Sequence, residues 1–239
     1  KHIKNASHIA VSTGAGVSAE SGVPTFRDAQ TGLWAKYDPQ QLATADAFRR
    51  DPKLVWDWYE FRRGLVRNAK PNPGHFALTE LQKRHPKTEI ITQNVDDLHE
   101  QAGSTGIIHL HGNIAQSKCF NNCQGDPTVI DISGLTWDAE VGPPACPHCG
   151  AHVRPNVVWF GEMLPVAMLD AAKIAAINCD VMLVVGLHAA EGVGHLSTEL
   201  FGARPDTCID VDDHGGGRLR SASRRWGSRL HPCRTGASA

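Results

Sequence analysis

The stretch HIAVSTGAGVSAESGVPTFRDAQTGLW occupies residues 8–34. Its opening HIAVS (8–12) is short and apolar and reads as a buried strand. The strand runs into Gly14-Ala15-Gly16, and a helix-forming stretch follows from Val17. Glycines at such a junction permit a tight turn and close approach of the backbone to a pyrophosphate, while the helix N-terminus offers amide donors and a favourable dipole. The pattern is G-x-G-x-x-A over Gly14–Ala19; alone it is weak, since a strand–helix turn that merely needs small residues is the alternative. The continuation Ser21-Gly22-Val23-Pro24-Thr25-Phe26-Arg27-Asp28 is unusual for a packing loop. Arg27 could pair bidentately with a phosphate, and the Phe26 ring could cover a nicotinamide.

Outward from this loop, EIIT (89–92) and DVMLVVG (180–186) read as further strands. The second is almost continuously apolar, as suits a parallel strand covered on both faces. Residues 164–178 read as the crossover helix before it. Strands alternating with helices imply an α/β fold with a Rossmann-type, doubly wound parallel sheet. Two segments break the alternation. Residues 33–75 look helical: Asp51-Pro52 offers a capping side chain and a proline at the first helical position, and Leu54, Trp58, Phe61 and Leu65 form an apolar stripe. Residues 113–156 are rich in turn formers and carry paired cysteines. Both read as insertions building a smaller lobe. The organisation expected is a single domain over 1–239, in which 1–32, 76–112 and 157–212 form the nucleotide lobe. Residues 33–75 are its helical module, 113–156 its zinc module and 213–239 a divergent basic tail.

The 239 residues include 24 Lys+Arg and 25 Asp+Glu, a net charge of −1. Residues 214–239 hold six Arg and no acidic residue, so residues 1–213 carry −7. A mildly acidic body argues against a broad nucleic-acid surface. There is no apolar run long enough to span a membrane and no visible secretory signal. Of seven cysteines, Cys119-x-x-x-Cys123 and Cys146-x-x-Cys149 form two close pairs separated by 22 residues. That spacing suits one tetrahedral Cys₄ Zn²⁺ site; four protein ligands leave no position for water, which makes the ion structural. Redox thiols remain the alternative.

GAGVSAESGVPTFRDAQTGLW (14–34) resembles the opening motif of the sirtuin family, the NAD-dependent protein-lysine deacylases. TQNVDDLHEQAG (92–103), HLHGN (109–113) and RPNVVWFGEMLP (154–165) are similar to further motifs of that family, in the same order. The resemblance covers about residues 7–186. It implies NAD as co-substrate, contacted by Gly14, Ala15, Gly16, Glu20, Thr25, Phe26, Arg27, Trp34 and Gly186. It also implies that Gln93 and Asn94 meet the nicotinamide ribose, that Asp96 meets the carboxamide and that His111 is the general base, with Asn94 and Asp96 in the catalytic group. His109 is read as structural. In the implied mechanism the acyl-lysine carbonyl oxygen attacks the ribose anomeric carbon as nicotinamide leaves. His111 then takes a proton from a ribose hydroxyl, and water releases lysine and O-acyl-ADP-ribose.

Tyr59 and Arg62, three apart in VWDWYEFRR, share one helix face with Val55 and Val66. A phenol beside a guanidinium fork is a good receptor for a carboxylate, although an ordinary helix with a solvated Arg would show the same spacing. Within the family a Tyr-x-x-Arg pair here resembles the branch that removes succinyl, malonyl and glutaryl groups, and Ala43 matches the same branch. Some deacetylation is expected as well. Val157–Glu162 (VVWFGE) could be simply a buried strand. The resemblance implies that the backbone around Phe160, Gly161 and Glu162 pairs with the substrate peptide, and that side chains there, with Val158, line the lysine tunnel.

The resemblance ends after Gly186. The chain continues Leu187-His188-Ala189-Ala190-Glu191-Gly192, without the Thr-Ser expected there. CIDVD (208–212) still reads as a strand, with Asp212 able to meet ribose hydroxyls. The expected partners are acyl-lysine proteins or peptides; neither membrane nor nucleic acid is expected. A monomer in the cytoplasm is expected, or in a mitochondrion if a targeting segment precedes the chain. A mono-ADP-ribosyltransferase and a non-catalytic acyl-lysine binding module remain the alternative functions.

Overall fold

Three of the apolar runs form the middle of one sheet in the computed structural model, which describes residues 2–23, 36–187, 207–211 and 220–221. In chain order the strands are β1 (Ile9–Thr13), β2 (Thr88–Thr92), β3 (Ile108–His109), β4 (Gly112–Cys119), β5 (Val153–Val157), β6 (Val181–Val185), β7 (Thr207–Val211) and β8 (Arg220–Ser221). The α-helices are α1 (His2–Asn5), α2 (Pro39–Leu42), α3 (Ala45–Arg50), α4 (Pro52–Asn68), α5 (Pro73–Arg84), α6 (Leu98–Gln101) and α7 (Val166–Asn178). Thr25, Phe26, Arg27, Trp34, Asp212 and most of the basic tail lie outside the described residues.

Sheet order is β3-β2-β1-β6-β7-β8, parallel up to β7, with β8 antiparallel to β7. All five residues of β1 are buried, so both faces must be covered. Ala10 lies against Ala172, Ala175 and Ala176 of α7, where small side chains let the helix approach the sheet. Ile9 and Val11 face the other way, packing with Leu78 of α5, Ile90 and Leu183. The alternation follows directly from the two-residue strand period. From β1 the chain goes toward β2, whereas β6, on the other side of β1, leads on to β7. Strand order therefore reverses between β1 and β6, and their carboxyl ends open the crevice where doubly wound sheets take ligands.

The second lobe joins α2–α4 to the antiparallel pair β4–β5. The start at Asp51-Pro52 forms as expected: the Asp51 carboxylate accepts the Leu54 N–H at 2.9 Å. The stripe assignment needs correction. Val55, Tyr59, Arg62 and Val66 are all buried, whereas of Leu54, Trp58, Phe61 and Leu65 only Trp58 is. The face carrying Tyr59 and Arg62 is thus the inner one, because two strands and α3 close over it. Helix α5, not among the expected elements, repeats the same device with Asn72-Pro73: Asn72 caps Gly74 N and its own N–H meets the His75 imidazole.

Arg63 fastens the two insertions together. Its Nε donates to Ile114 O (2.6 Å), and its Nη2 to Gln116 O and Ser117 Oγ (both 2.8 Å), while Nη1 meets the Glu60 carboxylate at 2.5 Å. The acceptors surround the register shift between Asn113 and Ser117, where β4 leaves its ladder with β5. A guanidinium with fixed donors can satisfy several carbonyls that a bulge leaves unpaired. Replacing Arg63 by Met keeps the apolar stem and strands those acceptors. Urea unfolding of Arg63→Met is expected to show a loss of about 2–4 kcal/mol. A loss below about 0.5 kcal/mol contradicts this role.

Candidate active site

Gly14-Ala15-Gly16 lies at the carboxyl end of β1, within the crevice. The helix expected from Val17 is instead a 3-10 turn, Ala15–Ser21. The reason is local: Gly14 N–H bonds Val185 O at 3.1 Å, Gly16 N–H bonds Gly186 O at 3.0 Å, and Val17 N–H closes a tight bond to Gly14 O. Three amides expected to face a phosphate are therefore used internally: two seat the loop on the end of β6 and the third closes the turn. Gly186 is at φ +63°, and a Cβ there would overlap Val17 N and lie 2.7 Å from Gly16 C. That contact needs glycine twice over, for the backbone angle and for the close approach. Glu20 is on the exposed side of the turn.

Beneath the loop lies a buried polar network that the sequence reading missed. Ser18 Oγ donates to Asp96 Oδ2 and accepts from Asn94 Nδ2, each at 3.0 Å. His75 Nδ1 accepts from Asn72 N, so its Nε2 carries the proton and faces Ser18 Oγ at 3.4 Å. One donor and two acceptor positions of a single hydroxyl thus orient Asn94 and Asp96. Leu98 N–H donates to the other Asp96 oxygen at 3.2 Å. Burial raises the Asp96 pKa, against the hydrogen bonds from Leu98 and Ser18. Burial holds the His75 imidazole neutral, its pKa pulled down to about 4. Asn72-Pro73 followed by His75 was a sequence signal for the place of His75 alone, not for the Ser18–Asn94–Asp96 contacts.

His111 sits where the large sheet passes into β4. Its Nδ1 lies 2.8 Å from Gln93 O. A carbonyl only accepts, so Nδ1 carries the hydrogen and the neutral ring leaves its lone pair on Nε2. Burial pulls the His111 pKa below 6.5, partly offset by the Gln93 carbonyl. The neighbouring Gly112 is at φ +79°, and a Cβ there would collide with Asn156 O of β5. Burial also pulls on His109, but its 2.6 Å pairing with Glu100 outweighs this and raises its pKa.

The segment after β5 is not a strand. β5 ends at Val157, because the next amides bond elsewhere: Val158 N–H to His111 O and Phe160 N–H to Ala43 O, both at 2.9 Å. Three residues thereby link His111 to Ala43. Between them Trp159 points inward, and its Nε1 donates to Tyr59 Oη at 2.9 Å. Tyr59 is buried, which pushes its pKa up to about 12 against the nearby Arg62 charge. Arg62 is 8% exposed and lies 5.2 Å from the Trp58 ring centroid, so the solvated-Arg reading does not hold. Its pKa is lowered by burial, yet a guanidinium stays cationic. Phe160 and Gly161 are exposed. The Glu162 carboxylate is engaged internally, with Arg154 at 2.5 and 3.0 Å and Trp159 N at 2.8 Å.

The four cysteine sulfurs at 119, 123, 146 and 149 all lie within 4.8 Å of one another. Cys119 and Cys149 are 3.5 Å apart, Cys123 and Cys146 3.9 Å. A tetrahedron with Zn–S bonds of about 2.3 Å has edges of about 3.8 Å, so the donor set fits zinc. Cys119 and Cys146 pack with Trp56, Ile130 and Val153, which closes the site on its inner side.

Residues 14–190 match the model of the Sir2 family. An NAD-dependent protein deacylase of Methylococcus capsulatus is 46% identical over 232 residues, covering 92% of this chain and 90% of the relative. An NAD-dependent protein deacylase of Pyrococcus furiosus is 51% identical over 174 residues, 73% of this chain and 69% of the relative. Among solved structures, a Sir2 homologue in complex with NAD superposes with a TM-score of 0.76 at 40% identity, covering 89% of this chain and 80% of the other.

Zinc should hold the β4–β5 hairpin shut. Cys146→Ser is expected to lose stoichiometric zinc by elemental analysis and to lower the melting temperature by several degrees. A variant that keeps its full melting temperature without zinc contradicts a structural ion.

Proposed function

The chain belongs to the Sir2 family as an NAD-dependent protein deacylase, and we propose that it prefers lysines bearing acidic acyl groups, namely succinyl, malonyl or glutaryl, over acetyl-lysine. The observation carrying this reading is the buried Tyr59/Arg62 pair on the inner face of α4, in the lobe that also holds Ala43 and Trp159. A cation and a phenolic donor withdrawn from water are of no use to an acetyl group. A terminal carboxylate gains a charge-assisted contact from one and a hydrogen bond from the other. Ala43 keeps its place small, leaving length for the chain between amide and acid.

When bound, NAD supplies the sugar carbon that the acyl oxygen attacks and nicotinamide as the leaving group. The protein's part is positioning and proton transfer. The Nδ1–H bond to Gln93 O aims the His111 lone pair outward from Nε2, ready to accept a hydroxyl proton. Asn94 and Asp96, held by Ser18, orient the nicotinamide riboside end. Gly14, Ala15, Gly16 and Gly186 line the dinucleotide cleft. Phe160 and Gly161 are exposed, and main-chain groups there that are not already bonded would pair with peptides, a contact indifferent to their side chains.

Two outcomes test this. Arg62→Met keeps the stem and removes the charge; the ratio of desuccinylase to deacetylase kcat/KM, measured on matched peptides, should fall about 10- to 100-fold. An equal loss of both activities contradicts the assignment. For His111, the active base is the neutral form, so activity is lost as pH falls through its pKa. The acid limb of kcat/KM should have its midpoint below 6.5, and His111→Asn should lower kcat by about 10²–10⁴. A limb centred above 7, or a His111→Asn variant of near-normal kcat, contradicts the role.

A further inference from the structure

Trp159 is the one residue between the two main-chain bonds that tie His111 and Ala43 together. Its indole is 2% exposed and immobilised from several sides. The Arg154 guanidinium stacks on the ring, 3.2 Å from its centroid. Arg154 is itself gripped by the Glu162 carboxylate and by Val157 O at 2.7 Å. Glu162 also accepts the Trp159 N–H, and the Phe48 ring lies 5.3 Å away. The only polar atom of that side chain, Nε1, is 2.9 Å from Tyr59 Oη.

We propose that Trp159 is a positioning residue for acyl selectivity: its indole N–H holds the Tyr59 phenol so that the phenol's own proton is presented to the acyl carboxylate. The argument rests on the acidic-acyl reading above. An indole nitrogen donates and cannot accept. By occupying one lone pair of Oη it fixes the phenol, and it gives the phenolic proton no acceptor on the indole. The proton is left for another acceptor, and a carboxylate held by Arg62 is the strongest available. Burial keeps the phenol protonated across the working pH range, so it stays a donor. A phenylalanine at 159 could fill most of the same space but could not orient the hydroxyl. The relay from Glu162 through Arg154 to Trp159 and Tyr59 thus couples the peptide-facing segment to the acid receptor.

The test compares Trp159→Phe with the intact enzyme on matched succinyl- and acetyl-lysine peptides. The KM ratio, succinyl over acetyl, is expected to rise about 5- to 10-fold, as for one lost orienting hydrogen bond. In a Tyr59→Phe background the same substitution should leave that ratio where Tyr59→Phe puts it. Benzothienylalanine at 159 preserves the indole shape without the N–H, and should give the same rise in the ratio even where Trp159→Phe is poorly folded. A parallel change for both peptides, or an equal effect with and without the Tyr59 hydroxyl, overturns the inference alone. An intact enzyme with no succinyl preference overturns the acidic-acyl reading and this inference with it.

Discussion

The site depends on three residues of irregular chain. Val158–Phe160 leaves β5 and divides its amides between the two lobes, one to His111 O and one to Ala43 O. Buried main-chain donors have to be satisfied, so this segment cannot slide without stranding both partners. It therefore sets the distance between the imidazole and the helical module. Everything around it serves that placement. Gly112 lets β4 begin directly against β5, Arg63 closes the bulge in β4, and Arg154 with Glu162 stiffens the segment from behind.

Zinc enters the same account from a distance. Cys119 ends β4, and Cys149 is followed within four residues by β5. A closed tetrahedral ion there is a knot at one end of a hairpin whose other end delivers Val158 and His111. The ion need not touch substrate to matter; it keeps the two strands in register. On the opposite side, the nucleotide loop is seated by Gly186, so that loop and the proposed acyl pocket are built on separate supports that meet at Gln93 and His111.

Much of this could be read from residues alone, for identifiable reasons. Continuous apolar runs marked β1, β2 and β6, since strands buried on both faces leave little room for polar residues. Asp51-Pro52 marked α4, and the two cysteine pairs marked the metal cluster, because these signals are local. What failed was non-local. The residues after Gly16 read as a helix, yet form a 3-10 turn whose tightness comes from Gly186, far along the chain. The strand that VVWFGE also allows does not form beyond Val157, because the acceptors for the Val158 and Phe160 amides lie on other elements. The two stripes of α4 were indistinguishable until the strands chose one, and nothing near Arg62 announces that it is buried. The Ser18–Asn94–Asp96 hub and the Trp159–Tyr59 bond join residues 76 to 100 positions apart, which no spacing encodes.

On the proposed reading, one junction serves both cleavage of a dinucleotide and recognition of an acid. Equimolar acetyl-, malonyl-, succinyl- and glutaryl-lysine peptides of one sequence, mixed with enzyme and NAD and followed together by mass spectrometry, measure both at once. Nicotinamide release matched to loss of acyl peptide, with the acidic peptides consumed first, is the predicted result. Absence of nicotinamide, or acetyl-lysine consumed ahead of every acidic peptide, contradicts it.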